Sequence, residues 1–360
     1  MNFRIVYSLG MIGLLSTFEG VASVHAQEAT QTLDEYLMVN GPTYFCQVRD
    51  SDDESQGDED NYFATQRKPA QRTRLVHRPE VAQRILDDGG YIGPCAVYGD
   101  RRSIGNGYFQ TYVQMQPDGV PWAIGFEFPA ATFDDLPTIP YDGQNCFDKN
   151  GNGVLDFDDH ISQDLADHDE CSGGHQRIID FPLKEAIAPF KWGLINWQPH
   201  GHSPSGVYDH SHFDFHFYIQ DFLDRNYIRV GPCALLINCD DMETGQIPVP
   251  PQYIHPDFID VGAVESRMGN HLIDVTAPEW NGGDFVETWL YGAYDGKVTF
   301  WEPMITKAYI ETHPFMCKDI KLPDAYAESG VYPTQYCVRY RASRDEYSIS
   351  LEGFVHREAE

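Results

Sequence analysis

The nine-residue run from His210 to Tyr218, HSHFDFHFY, constrains this chain more than any other stretch. Side chains alternate between the two faces of a β-strand, so His212, Asp214 and His216 fall on one side and Phe213, Phe215 and Phe217 on the other. A helix would scatter the same ionisable groups around its circumference, and the aromatic content favours a strand. One face is therefore a core seam and the other is chemical.

The surrounding sequence is strand-like as well. GYFQTYVQMQPDGVPWAIGFEF reads as two alternating runs joined by a turn at Pro117-Asp118-Gly119. FVETWLYGAY and KVTFWEP predict a second hairpin around Tyr294-Asp295-Gly296, and TQYCVRYRA with EYSISLEGF a third around Ser343-Arg344-Asp345. PTYFCQV and WGLINW are further strands. Short helices are expected over PEVAQRIL, PLKEAIAPF and QDFLDRNYI, and an extended loop between Asp240 and Asp260, where Pro248, Pro250, Pro251 and Pro256 interrupt regular structure. The expected fold is mainly β, an antiparallel sandwich or barrel with a few peripheral helices, forming a single β-rich domain over residues 27–360.

Arg4, the apolar run from Ile5 to Leu15 and the small-residue ending Val24-His25-Ala26 predict a signal peptide over residues 1–26. Its removal would deliver the chain to the periplasm or the extracellular space. No later apolar run approaches the roughly 20 residues that a transmembrane helix needs. The net charge of −30 argues against a nucleic-acid partner, since phosphate contacts require basic clusters, and leaves homo-oligomerisation open. Part of that charge is concentrated between Asp50 and Asp60, where a self-repelling run predicts a solvated loop. Eight cysteines in an exported chain imply disulfides, most economically between sequence neighbours: Cys46 with Cys95, Cys146 with Cys171, Cys233 with Cys239 and Cys317 with Cys337.

DKNGNGVLDFDD, beginning at Asp148, has the spacing of a calcium loop. Asp148, Asn150 and Asn152 occupy its first, third and fifth positions, Gly153 the sharp turn, and Val154 the carbonyl position; Asp156 and Asp159 complete the set. The final ligand is Asp rather than Glu, and LPTIPYDGQNC before the loop has no entering helix. A structural calcium site of modest affinity is expected, the other reading being an Asp/Asn/Gly turn that binds nothing.

Other histidines recur in comparable contexts: His200 and His202 in PHGHSP, and His271 in MGNHLID, with Glu302 in WEPMIT. His202, His212, Asp214, His216, His271 and Glu302 form a candidate site for zinc or another transition metal, because neutral imidazole is the commonest protein ligand for such ions. A buried polar network and acid–base catalysis without a metal are the two other readings. GNGYFQTYVQMQPDGVPWAIGFEF, NWQPHGHSPSGVYDHSHFDFHFY, MGNHLIDVTAPEW and YGAYDGKVTFWEPMIT, in this order, resemble successive blocks of an uncharacterised family of bacterial exported proteins. The resemblance spans about residues 105–313. It implies that residues 141–177, with the calcium loop, are an insertion, that Ser211 stands where the family has Pro, and that no known activity can be carried over. From sequence, then, the chain is expected to be an exported calcium-binding protein with a second, histidine-rich site. The alternative is a metal-dependent enzyme, hydrolase or oxidoreductase, with His212, His216 and His271 as ligands and Asp214 or Glu302 as ligand or acid–base group.

Overall fold

The computed structural model describes residues 96–116, 118–155, 170–342 and 344–360, together with the backbone of residues 43–48 and 71–76. The expected signal peptide, the acidic run, the helix over PEVAQRIL, Cys46 and Cys95 as a pair, and loop residues Asp156 and Asp159 lie outside the described residues or their side chains. Strands β1 (Thr43–Val48) and β2 (Gln71–Val76) form a small sheet of their own. The main body of the chain begins at β3 (Ala96–Ile104).

Two antiparallel sheets dominate that body. One has seven strands in the order β12 (Phe258–Glu265), β13 (Gly269–Asp274), β14 (Glu287–Tyr294), β15 (Lys297–Thr306), β10 (His212–Tyr218), β9 (Trp192–Gln198) and β8 (His175–Asp180). The other has six: β16 (Phe315–Asp319), β18 (Gln335–Arg341), β19 (Glu346–Glu352), β5 (Pro121–Pro129), β4 (Gly107–Met115) and β3. Two further pairs, β6 (Asn145–Cys146) with β7 (Cys171–Ser172) and β17 (Gly330–Tyr332) with β20 (Val355–Arg357), and the short β11 (Val230–Cys233) lie outside these sheets. Both large sheets have open edges, so the architecture is a sandwich and not a closed barrel. The three predicted hairpins are present as β4–β5, β14–β15 and β18–β19.

The aromatic row of β10 is the seam between the sheets. Phe213, Phe215 and Phe217 are fully buried. Phe217 lies 4.9 Å from Phe126, Phe215 6.1 Å from Phe128 and Phe213 5.6 Å from Phe109, measured between ring centroids. The partners sit on β4 and β5 of the opposite sheet, so one alternating strand joins both layers through packed aromatic rings.

Three short α-helices are described, α1 (Phe222–Asn226), α2 (Cys239–Gly245) and α3 (Lys307–Ile310). The first falls within the expected QDFLDRNYI segment. PLKEAIAPF, however, forms turns and not a helix. Leu183 takes a left-handed backbone at φ 56°, and Pro189 removes a donor while disfavouring helical geometry at Ala188. The segment from Asp240 to Asp260 also departs from a pure loop, because α2 forms before its first proline; the Asn238 side chain caps it by accepting from the Asp240 N–H. Three of the expected cysteine pairs are disulfides, Cys146–Cys171, Cys233–Cys239 and Cys317–Cys337. None of the described helices is long and apolar enough to cross a membrane.

Because Phe215 packs against rings of the opposite sheet on one side of the seam, Phe215→Ala is expected to destabilise the sandwich by about 3–5 kcal/mol. Urea unfolding of the purified variant checks this, and a loss under about 1 kcal/mol would mean that the seam is not the principal contact between the sheets.

Candidate metal centre

The opposite face of β10 looks away from the sandwich core, yet it is not exposed. His212, Asp214 and His216 are all buried, as is Glu302 on the adjacent strand β15. Two small apolar clusters flank them on this face. Trp192, Leu194, Tyr218, Met268 and Phe300 form one; Tyr208, Ile273, Phe285, Leu290 and Met304 form the other. Loop side chains in both clusters roof the sheet, leaving a cavity of about 130 Å³ whose lining includes His202, Asp214, His216, His271 and Glu302.

All six residues anticipated for a second metal site converge, and they do so as two trios. His202, His212 and Asp214 make one and His216, His271 and Glu302 the other; within each, the candidate ligand atoms lie within 4.8 Å of one another. Asp214 and His216 are two residues apart on one strand face, so the trios stand side by side, offset by about 7 Å along β10.

Register explains the convergence. β15 runs antiparallel beside β10, with Asp214 opposite Met304 and Phe217 opposite Trp301, which brings Glu302 alongside His216. His271 comes from β13, where it pairs with Gly292 of β14. A Cβ on Gly292 would stand 2.1–2.3 Å from the Phe300 ring, so glycine is what lets that ring lie across β14, 5.3 Å from His271 and 4.9 Å from His216. His202 is delivered by the loop before β10. Gly201 has φ 77°, and a Cβ there would meet the Tyr208 carbonyl oxygen at 2.0 Å. The loop therefore folds back tightly enough for the His202 N–H to bond that same carbonyl, at 3.1 Å.

The four rings are oriented alike. Each Nδ1 lies against a backbone carbonyl: His202 on Ser203 at 2.8 Å, His212 on His210 at 2.6 Å, His216 on Leu194 at 3.2 Å and His271 on Ala263 at 3.1 Å. A carbonyl oxygen can only accept, so Nδ1 carries the proton and, in a neutral ring, the lone pair is on Nε2. Every Nε2 points at a carboxylate. His212 is 3.0 Å and His202 3.9 Å from Asp214, while His216 is 3.3 Å and His271 4.0 Å from Glu302. Asp214 is further oriented by the Gln198 amide, which donates to it at 3.2 Å.

Burial and the neighbouring groups shift the protonation of these residues in different directions. Burial pushes His202 down to about 4 and His216 to about 3, and lowers His271 too, so these rings resist protonation. Burial opposes ionisation of Asp214 as well, but His212, 3.0 Å away, holds its carboxyl below the usual range. Glu302 goes the other way, pushed well above its ordinary value by burial and then by the charges of Asp214 and Glu265. His212 Nε2, Asp214 Oδ1, His216 Nε2 and Glu302 Oε2 are all buried without a hydrogen-bond partner, even though the first two stand 3.0 Å apart. A proton on Glu302 would satisfy His216 and still leave the His271 lone pair with no donor; a cation serves three ligands at once. Ligands held at 2.0–2.1 Å around a tetrahedral ion stand roughly 3.3 Å apart, and the nitrogen–oxygen separations of 3.0–4.0 Å bracket that value.

His200 lines the same cavity but belongs to neither trio, its Nε2 being tied to the Thr138 carbonyl at 2.8 Å. Gln198, Asn196 and Glu265 also border the site and were not singled out from sequence. The signal for the first two was the alternation of Asn196 and Gln198 with inward Ile195 and Trp197 on the strand paired to β10. Nothing local marks Glu265, whose Oε1 is buried without a partner and whose carboxyl burial raises to about 7.

The described residues of the Asp148 segment form a run of tight turns held by their own side chains. Asp148 accepts from the backbone N–H groups of Gly151, Asn152 and Gly153 at 2.6, 3.2 and 2.8 Å. Asn150 and Asn152 accept from the N–H groups of Asn152 and Val154 at 2.9 and 2.7 Å. Cys146–Cys171 closes its base, and Glu170 accepts from the N–H groups of Lys149 and Asn150 at 2.6 and 3.3 Å.

Adding a methyl group at Gly292 must displace Phe300 from between His216 and His271. Gly292→Ala is expected to cost about 1–3 kcal/mol in urea unfolding through overpacking, and to weaken any metal binding at the Glu302 trio; an unchanged unfolding midpoint would show that the ring moves without consequence. No protein-family model, curated protein or solved structure matches this chain, so the site is read on its own chemistry.

Proposed function

We propose that the protein binds two divalent transition-metal ions, of the zinc and iron class, at the His202–His212–Asp214 and His216–His271–Glu302 trios, and uses them for metal-assisted hydrolysis in the cavity beside them. The observation that carries this reading is the set of four imidazoles with Nδ1 engaged on backbone carbonyls and Nε2 turned onto two buried carboxylates. Anchoring the remote nitrogen is the usual outer-shell device for fixing a ligating histidine. Three protein ligands per ion is the count of a catalytic site, which keeps a position open for water or substrate, whereas structural sites use four. An ion so held supplies a Lewis acid and lowers the pKa of bound water. Asp214 and Glu302 balance its charge, and Gln198 fixes one of them.

Three disulfides point to an oxidising compartment, and the charged-then-apolar N-terminus supports export to the periplasm or beyond, in keeping with the resemblance to exported bacterial proteins. We further propose that the Asp148 loop is a structural calcium site, since Asp148, Asn150 and Asn152 hold the backbone in the tight turns that such a loop needs.

Elemental analysis after zinc loading and desalting should find two ions per chain. Asp214→Asn and Glu302→Gln should each remove one, by weakening affinity more than the roughly 10–100-fold typical of an outer-shell change. A wild-type protein that retains no zinc, iron or manganese overturns the proposal and leaves a protonated polar network in its place. Separately, millimolar calcium should raise the melting temperature relative to chelator, and Asp148→Ala should abolish the increment; identical melting in both conditions would reduce the loop to a turn.

A further inference from the structure

Strand β18 alternates as β10 does. Tyr336 and Val338 belong to the sandwich core, which puts Cys337 and Arg339 together on the outer face of the sheet. Beside β18 lies the edge strand β16, whose register sets Cys317 directly opposite Cys337, and the two are joined as a disulfide. On the other side β19 pairs Ser350 with Cys337 and Glu352 with Gln335, so Glu352 shares that outer face. Register alone thus gathers two sulfurs, a guanidinium and a carboxylate.

The guanidinium of Arg339 is clamped. Its Nη1 bonds Glu352 Oε1 and its Nη2 donates to Glu352 Oε2 at 2.9 Å, while its Cζ stands 5.5 Å from the centroid of the Phe315 ring. Burial disfavours both charges, yet each partner sustains the other: Glu352 holds Arg339 above its ordinary value, and Arg339 holds Glu352 below its own. Nη2 carries two N–H groups. With one engaged by Glu352, the other faces the disulfide, 3.0 Å from Cys317 Sγ and 3.2 Å from Cys337 Sγ. A disulfide sulfur is a weak acceptor and a thiolate a strong, charged one, so this contact contributes little with the bond closed and much more once it opens. Such differential stabilisation favours the reduced state and speeds departure of the thiolate. The two sulfurs also differ in access, for Cys317 is exposed on the edge strand and Cys337 is fully buried.

Independently of the metal reading, we infer that Cys317–Cys337 is an exchangeable disulfide, a site of reversible reduction by an external dithiol in which Arg339 receives the leaving thiolate of Cys337. One thiolate of the dithiol attacks Cys317 Sγ; the S–S bond breaks, its electron pair goes to Cys337 Sγ, and a mixed disulfide forms on Cys317. The second thiolate of the dithiol then attacks the reagent's own sulfur in that mixed disulfide and releases Cys317, which takes up a proton. Two electrons have passed to the protein, and the dithiol leaves as a disulfide. The β16–β18 ladder keeps Cys317 opposite Cys337, so an oxidised reagent can run the same steps backwards.

The purified protein with its disulfides formed is incubated in dithiothreitol at neutral pH without denaturant, quenched at intervals by alkylation, and digested so that mass spectrometry reads the state of Cys317 and Cys337. A parallel series is equilibrated in mixtures of reduced and oxidised dithiothreitol. In wild type the bond should be reduced while the chain stays folded. Arg339→Met should slow its reduction by about tenfold or more and shift the equilibrium toward the disulfide by a similar factor. Because Arg339→Met leaves Glu352 without its partner and can impair folding, a double variant, Arg339→Met with Glu352→Gln, removes the pair together and should show the same slowing. The sign of the effect separates this role from a structural one, since a strand merely loosened by the substitution would expose the bond and be reduced faster. The inference is overturned if the bond in folded wild type resists dithiothreitol, or if the folded variants are reduced as fast as wild type or faster.

Discussion

Everything in this molecule depends on the two-residue period of one buried strand. β10 places three phenylalanines against the opposite sheet and two imidazoles and a carboxylate against the loops on the other side. A register slip of a single residue would send the rings into the polar cavity and the ionisable groups into the sandwich core, so the packing that holds the sheets together also fixes the site. Stability and chemistry are written into alternate positions of the same seven residues, and neither can drift without the other.

That arrangement has an electrostatic cost. Burying imidazoles and carboxylates strips them of much of their water, and apolar clusters around Trp192 and Tyr208 flank them. Ordinary ion pairs do not relieve the cost, because burial keeps His202, His216 and His271 neutral while their Nδ1–H groups are spent on backbone carbonyls. Four imidazole Nε2 atoms and two carboxylates facing one another form the donor set that we propose holds divalent ions.

Much of this was legible in the sequence, for reasons that can be traced to particular residues. Strict alternation in HFDFHFY fixes both faces of β10, and turn residues at Asp118-Gly119 and Asp295-Gly296 fix two hairpins, because both signals are local. That His202, His212, Asp214, His216, His271 and Glu302 would gather was legible too, since histidines and carboxylates drawn into an aromatic-rich core have few partners but each other. Their division into two trios was not legible, for it depends on the register of β15 and β13 and on the room made by Gly292. Nor was the attachment of the Asp148 loop to Glu170 and Cys171, a product of tertiary contacts that no local pattern encodes. PLKEAIAPF misled because its helical composition is overridden by Leu183 and Pro189.

The central claim is that two ions sit between the Nε2 atoms and the carboxylates. Anomalous diffraction from zinc-loaded crystals, collected on both sides of the zinc absorption edge, tests it most directly. The account predicts two peaks, one roughly 2.0–2.1 Å from the Nε2 atoms of His202 and His212 and the other at the same distance from those of His216 and His271. An absence of anomalous density in the cavity, with Glu302 in direct hydrogen-bond contact with His216, would contradict it.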